Sequence, residues 1–430
     1  MQQTRIFKLA LPFLIALAAL SGQAFASSVA VGLCAAPGTH YTTIQAAVTA
    51  ASPGATVRVC PGTYPEQVLI TKNLTLLGIA AGVNDAAVVT VPVGGLAANG
   101  SDIFGNPVAA QIFVMNATVT VSHITVDGSN NGLASCATDP IGIYYQNAGG
   151  SITDSVARNQ LMDPAYQGCQ VGLAINVEGG DGSPAVTISN NSVRNYDKNG
   201  ITASGPGNGG GPNVTVSSNT VIGLGPTNVI AQNGIQIGYG ATGLVTGNEV
   251  VDDIYANPPC GGNNQPPCYG SSGILIYASE GVTVSSNTVE STQLGIAPTT
   301  DPTYGTANNT TIRSNHVGGT QIYDAIDLCS DNNVAQSNFI YGSAQSGIHL
   351  DDECPPSQGN NNTVTGNTIN EACAGILLGT GTGNTTTPNT FLNDTNTTLS
   401  GDTCTPLDSP AKSSGKHVAF RPSPFTSIRK

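Results

Sequence analysis

Acidic side chains and one histidine are concentrated in two neighbouring phrases of the sequence, Tyr323–Asp331 and Gly347–Cys354. The candidate catalytic residues are Asp327, His349, Asp351 and Asp352, and Asp324 is a candidate substrate-binding residue. Carboxylates held close together raise one another's pKa, and a histidine between them is held protonated. Two carboxyl groups whose pKa values differ in this way can serve as the acid and the base of glycoside hydrolysis. The cluster therefore indicates a protein that cleaves a polysaccharide, as a hydrolase before a lyase.

Two other interpretations of this cluster stay open. Asp327, Asp351 and Asp352 offer several carboxylate oxygens, which are the ligands that Ca²⁺ prefers. Calcium is therefore a candidate cofactor, and no other cofactor or metal is predicted. Alternatively, the charged side chains are solvated on an exposed face close to a disulfide and have no function.

Two repeated phrases indicate which elements position these residues. The first reads Val-Thr-Ile-Ser-Asn-Asn-Ser-Val at Val186–Val193, and its copies place an asparagine at positions 191, 219, 248, 287, 315, 338 and 367. The second reads Gly-Ile-x-Ile, with copies that begin at Gly234, Gly273, Gly347 and Gly375. Both phrases alternate apolar with polar residues, which predicts short strands with one buried face.

Short strands that recur without a helical pattern between them bury their apolar faces only by stacking coil upon coil. The sequence therefore predicts an all-β protein, a single-stranded right-handed parallel β-helix of about twelve coils. In this fold the recurring asparagine lies at a turn, where its side chain tolerates left-handed geometry and bonds to the next coil. These asparagines are expected to be structural.

The third position of Gly-Ile-x-Ile faces outward, and its copies form a column along the stack. The predicted members are Tyr144, Ala174, Thr202, Gln236, Leu275, Ala297, Asp327, His349 and Leu377. Since paired strands lie about 4.8 Å apart, Asp327 and His349 are predicted to be lateral neighbours. Gln236, on this column, is a candidate substrate-binding residue. Tyr277 is another, which either stacks on a sugar ring or packs inside a loop.

The two ends of the chain differ from the repeat. Arg5 and Lys8 precede an apolar run, and Ala24–Ala26 has the small-x-small pattern of a signal-peptidase site. Tyr41–Ser52 is an amphipathic segment that can cap the first coil. The predicted divisions are a signal peptide at 1–26, an N-terminal segment with the capping helix at 27–54, the β-helix at 55–405 and a disordered tail at 406–430. The protein is therefore expected to be secreted, periplasmic or on the cell surface.

The ten cysteines form an even set, which in an exported chain predicts disulfides. Their order along the chain favours local pairs. The predicted pairs are Cys34 with Cys60, Cys136 with Cys169, Cys260 with Cys268, Cys329 with Cys354 and Cys373 with Cys404.

The composition limits the classes of partner. Charged residues make up 9% of the chain, aromatic residues 5%, and the formal net charge is −13. Nucleic acids and anionic membranes need clustered Lys and Arg, so the charge argues against both. The expected partner is a polysaccharide or other glycan, bound by a monomer that does not insert into a membrane.

The chain resembles the pectin-lyase-like superfamily over nearly the whole of its predicted mature part. The resemblance rests on the segments Thr43–Ala47, Gly54–Val57, Gly62–Tyr64 and Leu74–Gly78. It is similar to the segment shared by pectinesterases and by periplasmic proteins of the NosD type. The resemblance implies a parallel β-helix and leaves the activity open, because this fold supports lyases, hydrolases, esterases, epimerases and adhesins.

Several family motifs are missing from the sequence. The chain has no set of Asn-Thr-Asp, Gly-His-Gly and Arg-Ile-Lys as in polygalacturonases, and no Asp-Pro-His as in alginate epimerases. Two hypotheses follow. The first is a polysaccharide hydrolase with the acidic cluster as its site, and the second is a non-catalytic extracellular or cell-surface module for binding or adhesion.

Overall fold

The computed structural model describes residues 28–34, 39–80, 85–207, 209–255, 268–320, 323–401 and 420–422. The predicted signal peptide lies outside the described residues, as does nearly all of the predicted tail. Within the described part, no helix is both long enough and apolar enough to cross a membrane.

Three long parallel sheets run along the molecule, and successive strands of the chain pass from one sheet to the next. The first sheet has thirteen strands, and it contains the copies of the Val-Thr-Ile-Ser phrase. Its strands are Val29–Val31, His40–Tyr41, Thr56–Val59, Leu74–Gly78, Thr118–Ser122, Gly149–Thr153, Val186–Ser189, Asn213–Ser217, Thr242–Thr246, Thr283–Ser285, Thr311–Arg313, Val334–Gln336 and Thr363–Thr365.

The second sheet follows the asparagine turn and has twelve strands. They are Gly62–Pro65, Ala87–Thr90, Ile124–Asp127, Val156–Gln160, Ser192–Tyr196, Thr220–Thr227, Glu249–Tyr255, Thr288–Glu290, His316–Gly318, Phe339–Tyr341, Thr368–Asn370 and Thr390–Leu392.

The third sheet contains the Gly-Ile-x-Ile phrases. Its parallel strands are Val68–Ile70, Pro107–Met115, Asp139–Gln146, Leu173–Glu178, Asn199–Ser204, Asn233–Gly238, Ser272–Tyr277, Leu294–Thr299, Ile326–Asp327, Ser346–Leu350, Ala374–Leu378 and Asn396–Ser400. Gly100–Ser101 adds a short antiparallel strand beside Pro107–Met115. A separate two-stranded sheet joins Cys268–Gly270 to Phe420–Pro422.

This architecture confirms the predicted right-handed parallel β-helix. Alternate side chains of each strand point into the stack, where Val, Ile and Leu side chains from all three sheets form one continuous buried core. β-branched residues suit this pleated interior because their side chains pack well between neighbouring strands. The coils therefore bury together the apolar faces that no single coil could bury.

The asparagine ladder is present and confirms the structural interpretation of the repeated asparagine. The backbone N–H of Asn219 donates to Oδ1 of Asn248 at 3.0 Å, and the Asn219 side-chain amide donates to the same oxygen at 2.9 Å. The Asn219 amide also donates to the carbonyl of Ile188 in the preceding coil. The left-handed geometry falls on the residue before the asparagine, since Ser218 has a φ of 56° and Asn190 one of 57°.

The helix occupies Ile44–Ala50, inside the predicted segment Tyr41–Ser52. Thr43 is its N-cap, and its side chain accepts a hydrogen bond from the N–H of Ala46 at 3.2 Å. The Glu66 carboxylate accepts the N–H groups of Ile44 and Gln45 at 2.7 and 2.9 Å. The buried face of the helix packs into the core at the first coils.

Three predicted disulfides are present, namely Cys34–Cys60, Cys136–Cys169 and Cys329–Cys354. Cys373 is also disulfide-bonded. Its predicted partner Cys404 lies outside the described residues, as does Cys260 of the remaining predicted pair.

Loops cover much of the outer face of the third sheet. Phe104, in the hairpin that follows Gly100–Ser101, contacts Tyr239 edge to face with ring centroids 5.8 Å apart. Tyr239 in turn contacts Tyr277 and Tyr304 at 5.3 and 4.9 Å. The outward column of this sheet is therefore buried over much of its length, which the sequence did not indicate.

Candidate active site

The strand register brings Asp327 and His349 side by side, as the sequence predicted. Ile326–Asp327 pairs with Ser346–Leu350, and the register places Asp327 opposite His349. Both residues line a cavity of about 350 Å³ on the outer face of the third sheet. The other titratable residues of its lining are Tyr323, Asp324, Asp351, Asp352 and Glu353.

One member of the predicted outward column is wrong. Tyr144 lies opposite Asn176, and Asn176 lies opposite Thr202, so the column contains Asn176 in place of Ala174. In this coil Ala174 lies opposite the glycine of the neighbouring phrase, and Gly172, two residues earlier, is a false marker of the register. The register above it is as predicted, from Thr202 through Gln236 to Leu275 and Ala297.

The imidazole of His349 lies between two carboxylates. Its Nδ1 is 3.2 Å from Oδ2 of Asp324 and 3.9 Å from Oδ1 of Asp327. Burial acts to lower the pKa of His349, but the negative charges of Asp324 and Asp351 outweigh burial and raise this pKa to about 10. His349 is therefore a partly buried imidazolium at neutral pH.

Asp324 supports His349 from the coil below. Its Oδ1 accepts hydrogen bonds from the backbone N–H and the hydroxyl of Ser346, at 3.0 and 2.5 Å. Its Oδ2 faces Nδ1 of His349. Both oxygens thus have partners, so this predicted substrate-binding residue is placed to orient the imidazole.

Asp327 differs from Asp324 in its surroundings. The residue is only 3% exposed, and its Oδ1 has no hydrogen-bond partner among the described residues. Burial raises the pKa of Asp327 well above its usual range, the charge of Asp351 adds to the increase, and His349 opposes it. Asp327 therefore favours its protonated form more than an exposed aspartate does, and it lies at a cavity wall with an Oδ1 that accepts no hydrogen bond.

Asp351 and Asp352 are adjacent in sequence and have opposite pKa shifts. Burial raises the pKa of Asp351, and its Oδ1 accepts the N–H of Glu353 at 2.8 Å. Asp352 is more exposed. Burial acts to raise its pKa as well, but hydrogen bonds from the hydroxyl and the backbone N–H of Thr380 outweigh this effect and lower it. Asp352 therefore holds a proton less readily than Asp327 and Asp351, which line the same cavity.

The structure does not bring Gln236 and Tyr277 to this cavity. Gln236 has no exposed surface, and its Oε1 accepts the side-chain amides of Asn199 and Asn233 at 3.1 and 3.3 Å. Tyr277 is 5% exposed and donates its hydroxyl proton to Asp301. Both lie under the loops that cover the third sheet on the N-terminal side of the cavity, where Tyr277 packs against Tyr239.

Ser346 and Thr380 are the supporting residues that the sequence did not reveal. Ser346 directly precedes the phrase at Gly347, and Thr380 follows the phrase at Gly375. Polar residues at the ends of the repeated phrases could therefore have pointed to these two supporting residues. Serine and threonine are so frequent in this chain, however, that the signal does not distinguish these two.

The geometry also identifies possible cation ligands. One ligand atom each from Asp324, Asp327 and His349 lies within 4.8 Å of the others. Asp351 groups instead with Cys329 and Cys354, whose sulfurs are joined to each other. The sequence predicted Asp327, Asp351 and Asp352 as the Ca²⁺ ligands. The structure instead groups Asp327 with Asp324 and His349.

A family of proteins described as periplasmic copper-binding proteins (NosD) matches residues 261–413, about a third of the chain. No curated protein matches the sequence. Among solved structures, the chain is similar to the GH136 lacto-N-biosidase from Eubacterium ramulus, with a TM-score of 0.58 and 10% identity over 85% of this chain and 67% of that one.

Two further similarities are weaker. A family 28 exopolygalacturonase from Yersinia enterocolitica has a TM-score of 0.49 and 13% identity, over 85% of this chain and 76% of that one. The A-module of mannuronan C-5 epimerase AlgE4 from Azotobacter vinelandii has a TM-score of 0.43 and 14% identity, over 85% and 95% of the two chains. At 10% identity the likeness to the GH136 structure shows a shared fold and does not single out an activity.

Proposed function

We propose that this protein binds an uncharged polysaccharide and hydrolyses a glycosidic bond in the cavity formed by Asp327, His349 and Asp352. The observation that carries the proposal is the state of Asp327. Its carboxyl group is buried at the wall of an open cavity, its Oδ1 has no hydrogen-bond partner among the described residues, and burial raises its pKa well above the usual range. A general acid requires this combination, because it must hold a proton at neutral pH and deliver it to a bound ligand.

The proposed reaction uses two carboxyl groups in different protonation states. Asp327 donates its proton to the glycosidic oxygen, and the bond between that oxygen and the anomeric carbon breaks. A water molecule attacks the anomeric carbon and gives a proton to the carboxylate of Asp352. The two protons balance, so the cycle is completed when a proton returns from Asp352 to Asp327 through solvent.

The remaining members of the cluster position these two groups. His349, held as imidazolium by Asp324, keeps a positive charge between the carboxylates and limits their mutual repulsion. Asp351 is buried beside it and raises the pKa of Asp327. Asp324 is a positioning residue because its two oxygens are occupied by Ser346 and His349.

Charge defines the class of substrate. None of the described residues that line the cavity is a lysine or an arginine, whereas five of them are Asp or Glu. A uronic acid polymer would place its carboxylates beside these groups, and the imidazolium of His349 already faces Asp324 and Asp327. A neutral glycan avoids this cost and can use the carboxylates as hydrogen-bond acceptors.

The likeness of the fold to glycan-acting proteins supports this class of partner but does not identify it. The disulfides support an oxidising location, since cytosolic thiols are kept reduced. In this proposal the protein works outside the cytoplasm. It acts as a monomer and contacts neither nucleic acid nor the bilayer interior.

Copper binding, which appears in the description of the matched family, does not fit this cavity. The grouped donors are one imidazole and two carboxylates, whereas copper sites use several imidazoles or sulfur ligands. The sulfurs of Cys329 and Cys354 are in a disulfide and cannot serve as thiolates. No step of the proposed reaction is assigned to a metal.

The test is a screen of the purified protein for release of reducing ends from neutral, amino-sugar and uronic acid polysaccharides, with and without Ca²⁺. Asp327→Asn is compared with Asp181→Asn, which changes an exposed aspartate far from the cavity. Product release from a neutral polymer that Asp327→Asn abolishes and Asp181→Asn retains supports the proposal. If the protein binds a polysaccharide but releases nothing from it, the non-catalytic binding or adhesion module is the correct function. Strict dependence on added Ca²⁺ would instead make the cluster a cation site.

A further inference from the structure

Three aromatic side chains are grouped on the outer face of the second sheet, where no loop of the described residues covers them. Phe339 is 41% exposed, His316 is exposed, and Tyr341 is half-buried. The ring of His316 is 4.9 Å from that of Phe339 and 5.2 Å from that of Tyr341, between centroids. This group, the aromatic patch, stands out in a chain with only 5% aromatic residues.

The aromatic patch is held in place by its surroundings. The Tyr341 ring lies across Gly318 of the preceding coil, so closely that a Cβ at Gly318 would overlap it. The Tyr341 hydroxyl donates to a carboxylate oxygen of Glu290, one coil further down, at 2.9 Å. The ring is therefore fixed against the sheet before any ligand arrives, which reduces the entropy lost on binding.

The residues around the rings suit a sugar better than a protein or a nucleic acid. The strand register surrounds the patch with Thr288 and Glu290 on one side and Thr368 and Asn370 on the other. Such hydroxyl, amide and carboxylate groups exchange hydrogen bonds with sugar hydroxyls, while the rings pack against the C–H face of a pyranose. Arg313 is the only lysine or arginine of the sequence between Thr288 and Asn370, so an anionic polymer has little to bind.

The geometry of the stack favours an extended chain as the ligand. Neighbouring coils are about 4.8 Å apart, close to the length of one sugar in an extended polymer. The patch also adjoins the acidic cavity, because Tyr341 is separated only by the corner at 342–344 from Gln345, which lines that cavity. At that corner the Ser343 hydroxyl donates to the carbonyl of Tyr323, another cavity residue.

We infer that the aromatic patch of His316, Phe339 and Tyr341 is a second binding site for an uncharged polysaccharide, outside the proposed catalytic cavity. It holds the polymer on the second sheet while a neighbouring stretch of the same chain crosses the corner into the cavity. The inference does not require catalysis, since a binding module would use the patch equally well.

Binding is measured by depletion of the purified protein from solution onto insoluble neutral polysaccharides. Phe339→Ala is expected to lower the apparent affinity about tenfold. Gly318→Ala, which displaces the Tyr341 ring without removing it, is expected to lower affinity severalfold. Leu224→Ala is the matched control, because Leu224 is 37% exposed on the same sheet several coils away, and it should bind as the wild type does.

Three outcomes would overturn the inference. The first is binding by Phe339→Ala and Gly318→Ala that equals wild type on every polymer, and the second is no binding by the wild type at all. The third is a wild-type dimer that Phe339→Ala converts to a monomer, because the patch would then be a contact between two copies of this chain. Release of reducing ends from a short soluble oligosaccharide tests the proposed function separately from the aromatic patch. Phe339→Ala is expected to retain this activity. Asp327→Asn is expected to lose it and still bind the polymer.

Discussion

Asp327 and Glu178 are two buried carboxyl groups on the outer face of the same sheet, and they differ in how their oxygens are used. The Glu178 oxygens accept hydrogen bonds from the Tyr144 hydroxyl, the Ile103 N–H and the Asn176 amide, at 2.5, 3.0 and 3.1 Å. Asp327 keeps Oδ1 without a partner among the described residues. Burial of an acid is therefore common to both places, and of the two only Asp327 lines a cavity and has an oxygen that accepts no hydrogen bond.

The comparison also separates pKa from function. Burial raises the pKa of Glu178 to about 7, although its hydrogen bonds oppose the increase. That value would suit a general acid, yet Glu178 is 1% exposed beneath the hairpin that contains Ile103. A perturbed pKa therefore marks a candidate site only where an open cavity reaches the group.

The largest expected difference between the two groups is catalytic. Asp327→Asn should lower product release about 1,000-fold, because it removes the proton donor without changing the size of the side chain. Glu178→Gln should leave the rate within about twofold, since Glu178 contacts no part of the cavity. Rates on the same polysaccharide check both. Equal losses in the two variants would show that buried charge, and not access to the cavity, is what matters.

The second difference is in the pH dependence of stability. Glu178 has a folded-state pKa of about 7 and an unfolded value near 4.5, so the folded state binds the proton more tightly. Its contribution to the free energy of unfolding is therefore complete below pH 4.5 and falls as the pH rises to 7, by on the order of 3 kcal/mol. Thermal unfolding of the wild type and of Glu178→Gln between pH 4.5 and 7 measures this. A wild-type slope that the variant fully retains would contradict the assignment.

His349 should make the stability of the protein depend on pH in the alkaline range. Its folded-state pKa of about 10 exceeds the ordinary value of 6.5, so its stabilisation is complete below pH 6.5 and is lost as the pH rises to 10. Melting temperatures from pH 7 to 10 should fall by several degrees more for the wild type than for His349→Asn. His316→Asn is the control, because that histidine is exposed.

The smallest expected effect concerns Asp352. Thr380→Val removes a hydroxyl that donates to this carboxylate and leaves the backbone N–H in place. The pKa of Asp352 should then rise, and the acid limb of the pH profile of product release should move to higher pH by about one pH unit. Thr382→Val, which alters an exposed threonine two residues on, should leave that limb unchanged. An unshifted limb in Thr380→Val would remove Asp352 from the role of base.

How far the site could be predicted from the sequence depended on the repeated phrases. Asp327 and His349 occupy the same position of successive phrases, and the parallel pairing of coils then makes them neighbours. Gln236 occupies that position too, but its exposure is decided by loops that lie between phrases and carry no repeat. Tyr277, predicted either to stack on a sugar ring or to pack inside a loop, is packed, because residues remote in sequence cover it.

The supporting contacts were less accessible to sequence reasoning. Ser346 and Thr380 act through their hydroxyls on Asp324 and Asp352, and each comes from a different coil. Such pairs depend on where a corner residue points, which alternation of apolar and polar residues does not encode. The fold was predictable because it is set by a repeated pattern, whereas each of these contacts occurs once.

The asparagine ladder makes coil length and stack integrity independent of each other. Asn248 and Asn287 are 39 residues apart in sequence and Asn315 and Asn338 only 23, yet their side chains meet at 2.9 and 3.0 Å. A segment can therefore lengthen between two rungs without any change in the hydrogen bonds that join them. New walls around the outer faces can be added or removed one coil at a time, while the core beneath stays the same.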